Sequence, residues 1–250
     1  MPAPTTIRSL AVEELNIPLH APFGISGGAQ EVARNLLVTV ELADGTRGYG
    51  EAAPFQAYNG ETQASARAAV ERARPAVEGA DVREWRPIAA ALRASIGDAG
   101  SARCAIETAV LDALTRRAGV PLWAFFGGAG TTLETDMTVT TGSVEDASTA
   151  ALAIIGRGIS TIKVKVGGGE LDHDLRRIVA IHAVAPDAPL ILDGNGGMSA
   201  DAALALVGAL RAQNIRPALL EQPVPAGDRE GLAQLARWGD VAVAADESAT

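Results

Sequence analysis

Cysteine occurs once in the chain, at Cys104, so no disulfide can form within it and a reducing cytoplasm is the expected setting. The stretch from Ala102 to Leu114 around it reads as helix, and a small buried hydrophobe is the expected role for the thiol. Aromatic residues make up only 4% of the sequence, which argues against an aromatic-rich sandwich. Abundant alanine and glycine suit helices packed closely on a sheet. No apolar run approaches the ~18 residues of a membrane span. Residues 1–9 show no apolar core of the signal-peptide kind. Positive charge is also short: the formal net charge is −9 and the isoelectric point about 4.9, a balance that repels nucleic acid and anionic membrane. A soluble cytoplasmic protein is expected. With 250 residues, 48% of them hydrophobic, it can bury a core in one large or two smaller domains.

The N-terminal part reads as strands over Ile7–Leu15, Leu36–Leu42 and Tyr49–Ala52, with Asp44-Gly45 as a hairpin turn. Two Gly/Pro-punctuated loops, Pro18–Gly28 and Ala53–Gly60, carry Phe23, Phe55 and Tyr58 and read either as surface turns or as a lid. Helices follow at Thr62–Val77 and after Ser101, a candidate cap, with Ile106, Val110, Ala113 and Leu114 on one face. Residues 1–128 are expected to form an α+β domain with a helical tail. Residues 129–250 change to short strands alternating with helices. Strands are expected at Met137–Thr140, Thr161–Val166, Leu190–Leu192, Ala218–Leu220 and Val241–Ala244, the rhythm of a parallel sheet. Successive strands end in charge, at Lys163/Lys165, Asp193, Glu221 and Asp246. Catalytic groups at several strand ends favour a barrel over a doubly wound sheet. The run Gly167-Gly168-Gly169 lacks the lysine and hydroxyl residue of a phosphate loop and reads as a plain turn.

Asp193, Glu221 and Asp246 each follow an apolar strand. Each acid alone could cap the next helix. On adjacent parallel strands about 4.8 Å apart the three converge, and a hard divalent cation, magnesium or manganese, would relieve their repulsion. Lys163 and Lys165 alternate with Ile162, Val164 and Val166. They either guard an edge strand or point into a barrel mouth. At about 6.6 Å apart they should repel by about 2.5 kcal/mol. That would bring one toward a pKa of about 8, suited to a general base. A neutral lysine beside a Lewis acid can remove a proton next to a carboxylate.

The motifs Lys-Val-Lys at 163–165, Asp-Gly-Asn at 193–195, Glu-Gln-Pro at 221–223 and Ala-Asp-Glu-Ser at 245–248 resemble the muconate-lactonizing branch of the enolase superfamily. Within it, Thr135–Val139, Lys163–Gly167 and Asp193–Gly196 look most like the dipeptide epimerases. The resemblance implies an α/β protein: an α+β capping domain and a modified (β/α)₇β barrel of the TIM kind, cut after about five barrel strands. It implies Asp193, Glu221 and Asp246 as Mg²⁺ ligands, with Asn195 and Glu247 beside them. Lys165 would be one of two opposed bases. Lys163 would hold the substrate carboxylate and the enediolate, and Thr138 would touch substrate. The implied activity is epimerisation of a dipeptide or related carboxylate. A muconate cycloisomerase or o-succinylbenzoate synthase of the same branch, or a non-catalytic binding fragment, are the alternatives. The implied partner is a small molecule, in a homo-oligomer. Members of the branch continue past the fifth barrel strand to an opposing lysine, so the chain is expected to be a fragment. Residues 24–33 hold no arginine, which argues against an acidic dipeptide and for a small or apolar second residue. His20 could touch substrate, whereas His173 and His182 are expected away from the strand ends.

Overall fold

A computed structural model describes residues 2–25, 28–56 and 60–249, without the side chains of 21–25, 28 and 29. The expectations placed on the Phe23 and Tyr58 side chains, and on the loop at residues 26 and 27, lie outside the described residues. The chain divides into two compact units, one built on residues up to Pro22 and Ala29–Thr132 and one on residues from Leu133 onward together with the segment 23–28.

The first unit holds a three-stranded sheet in the order β1 (Ile7–Ile25), β2 (Gly28–Leu42), β3 (Arg47–Ala52). β1 and β2 are far longer than the sequence suggested, and His20 lies in a strand instead of a loop. Proline accounts for part of this. Pro18 fixes its own φ and biases Ile17 toward extended backbone, and an edge strand tolerates the missing N–H. The Asp44-Gly45 turn forms as expected: Gly45 has φ +88°, and the Thr46 N–H donates to Asp44 Oδ1 at 3.0 Å.

Three longer helices cover the sheet: α1 (Gln63–Val77), α2 (Trp85–Ile96) and α3 (Gly100–Ala118), followed by the short α4 (Leu122–Phe125). α2 was not read from the sequence, although Ile88, Leu92 and Ile96 make a buried stripe at helical spacing. Ser101 is not a cap. The helix starts at Gly100, and the Ser101 N–H donates to the Glu61 carboxylate at 3.2 and 3.3 Å. Cys104 is exposed, contrary to expectation. The buried face of α3 runs through Ala102, Ala105, Ile106, Ala109 and Ala113, and position 104 falls on the opposite side.

In the second unit, β4 (Asp136–Val139), β5 (Thr161–Lys165), β6 (Leu190–Asp193), β7 (Leu219–Glu221) and β8 (Ala242–Ala244) form one sheet in chain order, every pair parallel. The order shows no reversal of the kind a doubly wound sheet has at its switch point. Helices α5 (Val144–Gly156), α6 (Leu171–Val184), α7 (Ala200–Ala212) and α8 (Arg229–Trp238) alternate with the strands. Ile162, Val164, Leu190, Leu192 and Leu220 join the helices in a core. The buried stripe of α6 is Asp174, Arg177, Ile178 and Ile181. Two charges thus occupy core-facing positions. Among the described residues no helix is long and apolar enough to cross a membrane.

Candidate active site at the strand ends

Parallel register decides which side chains share a face. Lys165 lies opposite Asp193, Asp193 opposite Glu221, and Glu221 opposite Ala244. One step earlier, Thr138 lies opposite Lys163. Paired residues in a sheet point the same way, and alternation puts Lys163 with Lys165. All of these side chains therefore stand on the face away from the helices, at the C-terminal ends of the strands.

Both bland alternatives for these residues fail. β5 lies between β4 and β6, so its lysines protect no edge. Asp193 and Glu221 do not cap the helices after them: Ser199 caps α7 and Asp228 caps α8.

The charges are tightly joined. Lys165 Nζ donates to Asp193 Oδ2 at 2.7 Å and to Asn195 Oδ1 at 2.6 Å. Lys163 Nζ lies 2.8 Å from Asp193 Oδ2 and 2.8 Å from Glu221 Oε2. Asn195 is held in turn, its N–H donating to Asp193 Oδ1 at 3.1 Å and its Nδ2 to Glu247 Oε1 at 3.2 Å. Asp193 is 1% exposed, and such a carboxylate is stable as an anion only when compensated. Burial pushes its pKa up, but the hydrogen bonds from Lys163 and Lys165 outweigh burial and hold it below the usual value.

Lys163 is kept charged by its neighbours. Burial disfavours its charge, yet hydrogen bonds to Asp193 and Glu221 more than offset burial and raise its pKa to about 12. Repulsion between the two lysines, taken alone, omits the carboxylates that stand closer to each. Asp246 behaves oppositely. Burial, then the nearby charges of Glu247 and Asp193, push its carboxyl up.

Gln222, which the sequence reading left without a role, ties the last two strand ends together. It is fully buried, with φ +32°. Its Oε1 accepts from the N–H groups of Asp246 (2.9 Å) and Ser248 (3.0 Å). Its Nε2 donates to Val224 O and Ser248 Oγ, both at 2.8 Å. Every polar position of the amide is used, which fixes Glu221 and Asp246 relative to one another.

The donors gathered here are all oxygens, the kind a hard divalent cation takes. Asp193 and Glu221 already converge on one positive centre, the Lys163 ammonium, and Asp246 carries like-charge crowding that Lys163 and Lys165 only partly offset. As the side chains stand, no three His, Cys, Asp or Glu residues among those described are close enough to enclose an ion.

Of the histidines, His173 is nearer the strand ends than expected: in the first turn of α6, its Nε2 lies 3.0 Å from Gly142 O. A separate cavity of about 420 Å³, lined by Ile155, Ile159, Val184 and Pro186, lies at the opposite ends of β5 and β6 and holds Asp187 as its one acid.

Two family models match the chain: a mandelate racemase/muconate lactonizing enzyme N-terminal domain over residues 7–127 and an enolase C-terminal domain-like region over 145–250. The chain belongs to this mandelate racemase and muconate lactonizing branch of the enolase superfamily. An aromatic dipeptide epimerase of Herpetosiphon aurantiacus is 52% identical over 246 residues, 98% of this chain and 69% of the relative. A hydrophobic dipeptide epimerase of Citrifermentans bemidjiense is 34% identical over 97% of this chain and 68% of its own length. The crystal structure of a dipeptide epimerase from Enterococcus faecalis, complexed with Mg and the dipeptide L-Leu-L-Tyr, superposes with a TM-score of 0.92 at 30% identity, covering 97% of this chain and 68% of that one.

Proposed function

We propose that the protein is a magnesium-dependent epimerase of dipeptides with an apolar second residue, with Lys165 as a base for the α-proton. The observation that carries this reading is the row Lys165, Asp193, Glu221 on one sheet face, with Lys165 Nζ 2.7 Å from Asp193. Its fold would be a capping domain, residues 1–128, and the first strands of a barrel, residues 129–250. Asp193, Glu221 and Asp246 would hold the metal, steadied by Asn195, Gln222 and Glu247. Magnesium supplies the positive charge that lets a carboxylate accept the second negative charge of an enediolate.

The chain's own residues account for proton removal from one face. Lys163 Nζ stands 2.8 Å from Asp193 and 2.8 Å from Glu221, beside the metal position, which suits it to hold the substrate carboxylate. Lys165 Nζ, as the neutral amine, would take the α-proton as the C–H bond breaks, becoming an ammonium beside Asp193, and the electron pair passes into the carboxylate. Thr138, opposite Lys163 in the register, is placed to contact substrate. The absence of a basic residue over 24–33 and the names of the similar relatives both favour an apolar dipeptide.

Deuterium exchange at the α-carbon across a dipeptide library tests this. Epimerisation exchanges the proton without loss of substrate, whereas a cycloisomerase or dehydratase consumes it. Lys165→Ala should slow exchange by about 10³-fold. Exchange unchanged in that variant, or no exchange by the parent protein with any dipeptide, would sink the reading.

A further inference from the structure

Outside the site itself, the most unusual group in the second unit is the guanidinium of Arg177. It is 1% exposed on the core-facing stripe of α6. Burying a cation there is costly unless it is paired and hydrogen-bonded. Its partners are specific. Nη1 donates to the carbonyl of Lys165 at 2.9 Å and to Asp174 Oδ1 at 3.1 Å, and Nη2 donates to the carbonyl of Thr140 at 2.6 Å. Asp174 uses its other oxygen to accept the Gly167 N–H at 2.7 Å. The Nε of Arg177 is buried without a hydrogen-bond partner.

This orientation differs from that of an ion pair formed only for stability. A fork-to-fork pairing would place two guanidinium donors on the carboxylate. Here one donor reaches Asp174, the shortest bond goes to a strand-end carbonyl, and Nε is left unmatched. The contacted backbone is also particular: Lys165 is the last residue of β5, and Thr140 directly follows β4. The pair thus clamps three main-chain groups at the ends of two neighbouring strands, from underneath the face that carries Lys165.

We propose that Arg177 is a positioning residue for Lys165, with Asp174 as its counter-ion: it fixes the backbone from which the base projects without touching substrate. This inference rests on the assignment of Lys165 as base. A base must be held to within a fraction of an ångström of its proton, and misplacement by about 1 Å can cost roughly 10²-fold.

The test compares Arg177→Lys with Asp174→Asn, reading α-deuterium exchange, Mn²⁺ affinity and thermal stability. Lysine keeps a positive charge for Asp174 but lacks the planar fork that spans both carbonyls. Arg177→Lys should lower kcat for exchange by about 30-fold, with KM for the dipeptide and Mn²⁺ affinity within about twofold. Asp174→Asn retains an acceptor for Gly167 and the two carbonyl bonds. It should lower the melting temperature more than Arg177→Lys does while reducing kcat by less than about threefold. If kcat falls in both variants only as their folded fraction falls, or if Arg177→Lys leaves kcat unchanged, Arg177 is structural and the proposal is overturned. If the parent protein exchanges no dipeptide, the assignment of function has failed first, and that result is distinct.

Discussion

The sheet β1–β3 and the sheet β4–β8 both bury one face under helices, but they treat the space beneath the backbone differently. In the first unit, β3 approaches the backbone of α3 directly at Gly48 and Gly50. A Cβ on Gly48 would fall 2.2 Å from Ala109 O, and one on Gly50 1.9 Å from Ala105 O. Alanines at 105, 109 and 113 recur every fourth residue and keep that helix ridge flat. In the second unit the helices stand off on Ile, Val and Leu, and α6 carries a buried Arg–Asp pair that bonds to strand-end backbone. Close packing leaves no room for chemistry. A polar clamp costs desolvation but fixes where functional groups stand.

The strongest way to break this contrast is in the first unit. Gly50→Ala must displace the backbone of α3, because the nearest atoms are main-chain and cannot swing aside. A loss of about 3 kcal/mol is expected, the upper range for overpacking. Urea denaturation followed by circular dichroism measures it. A loss below about 1 kcal/mol would show that the approach of β3 to α3 is not essential.

Legibility in the sequence followed the same divide. The Asp44-Gly45 hairpin, the five parallel strands and the charges closing four of them could be read, because alternation and turn chemistry are local properties. Lys163 and Lys165 on one face against Ile162 and Val164 followed from period two alone. Arg177 and Asp174 were missed for a physical reason. A charge on the core stripe is tolerated only by virtue of partners brought in by tertiary structure, here the Thr140 and Lys165 carbonyls and the Gly167 amide. The signal was present, since 174, 177, 178 and 181 have the spacing of one helix face. Likewise Gln222 stood within a recognised motif, but its four bonds reach Val224, Asp246 and Ser248, and two of these lie on the following strand-end segment. The repulsion between Lys163 and Lys165 was legible from period two, but the carboxylates that raise the pKa of Lys163 are brought to it by neighbouring strands.

A smaller perturbation sharpens the second half of the comparison. Lys163→Met removes the ammonium shared by Asp193 and Glu221 and leaves Lys165 as the remaining lysine on Asp193. In chelator the variant should lose about 2 kcal/mol, less than for a fully buried pair because Lys163 is partly exposed. Saturating Mg²⁺ should restore at least half of that loss, since a ligand that binds only the folded state stabilises it. Melting curves with and without Mg²⁺ give both values. No gain from Mg²⁺ would show that these carboxylates do not take up a divalent cation.

The smallest effect is expected at the periphery of the first unit. Asp81 accepts from Arg83 Nη2 at 2.6 Å, from the Arg83 backbone N–H at 3.0 Å and from Thr5 Oγ1 at 3.0 Å. The hydrogen bond from the Arg83 guanidinium, then that from its backbone N–H, outweigh partial burial and hold the Asp81 carboxyl well below the usual carboxylate range. The sign follows from linkage. A depressed folded pKa contributes stability that is fully present above the unfolded value of about 3.9 and is lost as pH falls through the folded one. Asp81→Asn should therefore be slightly less stable than the parent at neutral pH, and the gap should narrow steadily below about pH 4. Arg83 is largely exposed, so solvent screening keeps the gap small. Urea midpoints measured for both proteins from neutral pH down to about pH 2 test this. A gap that stays constant over that window would mean that Asp81 acts through the geometry of its hydrogen bonds and not through its charge.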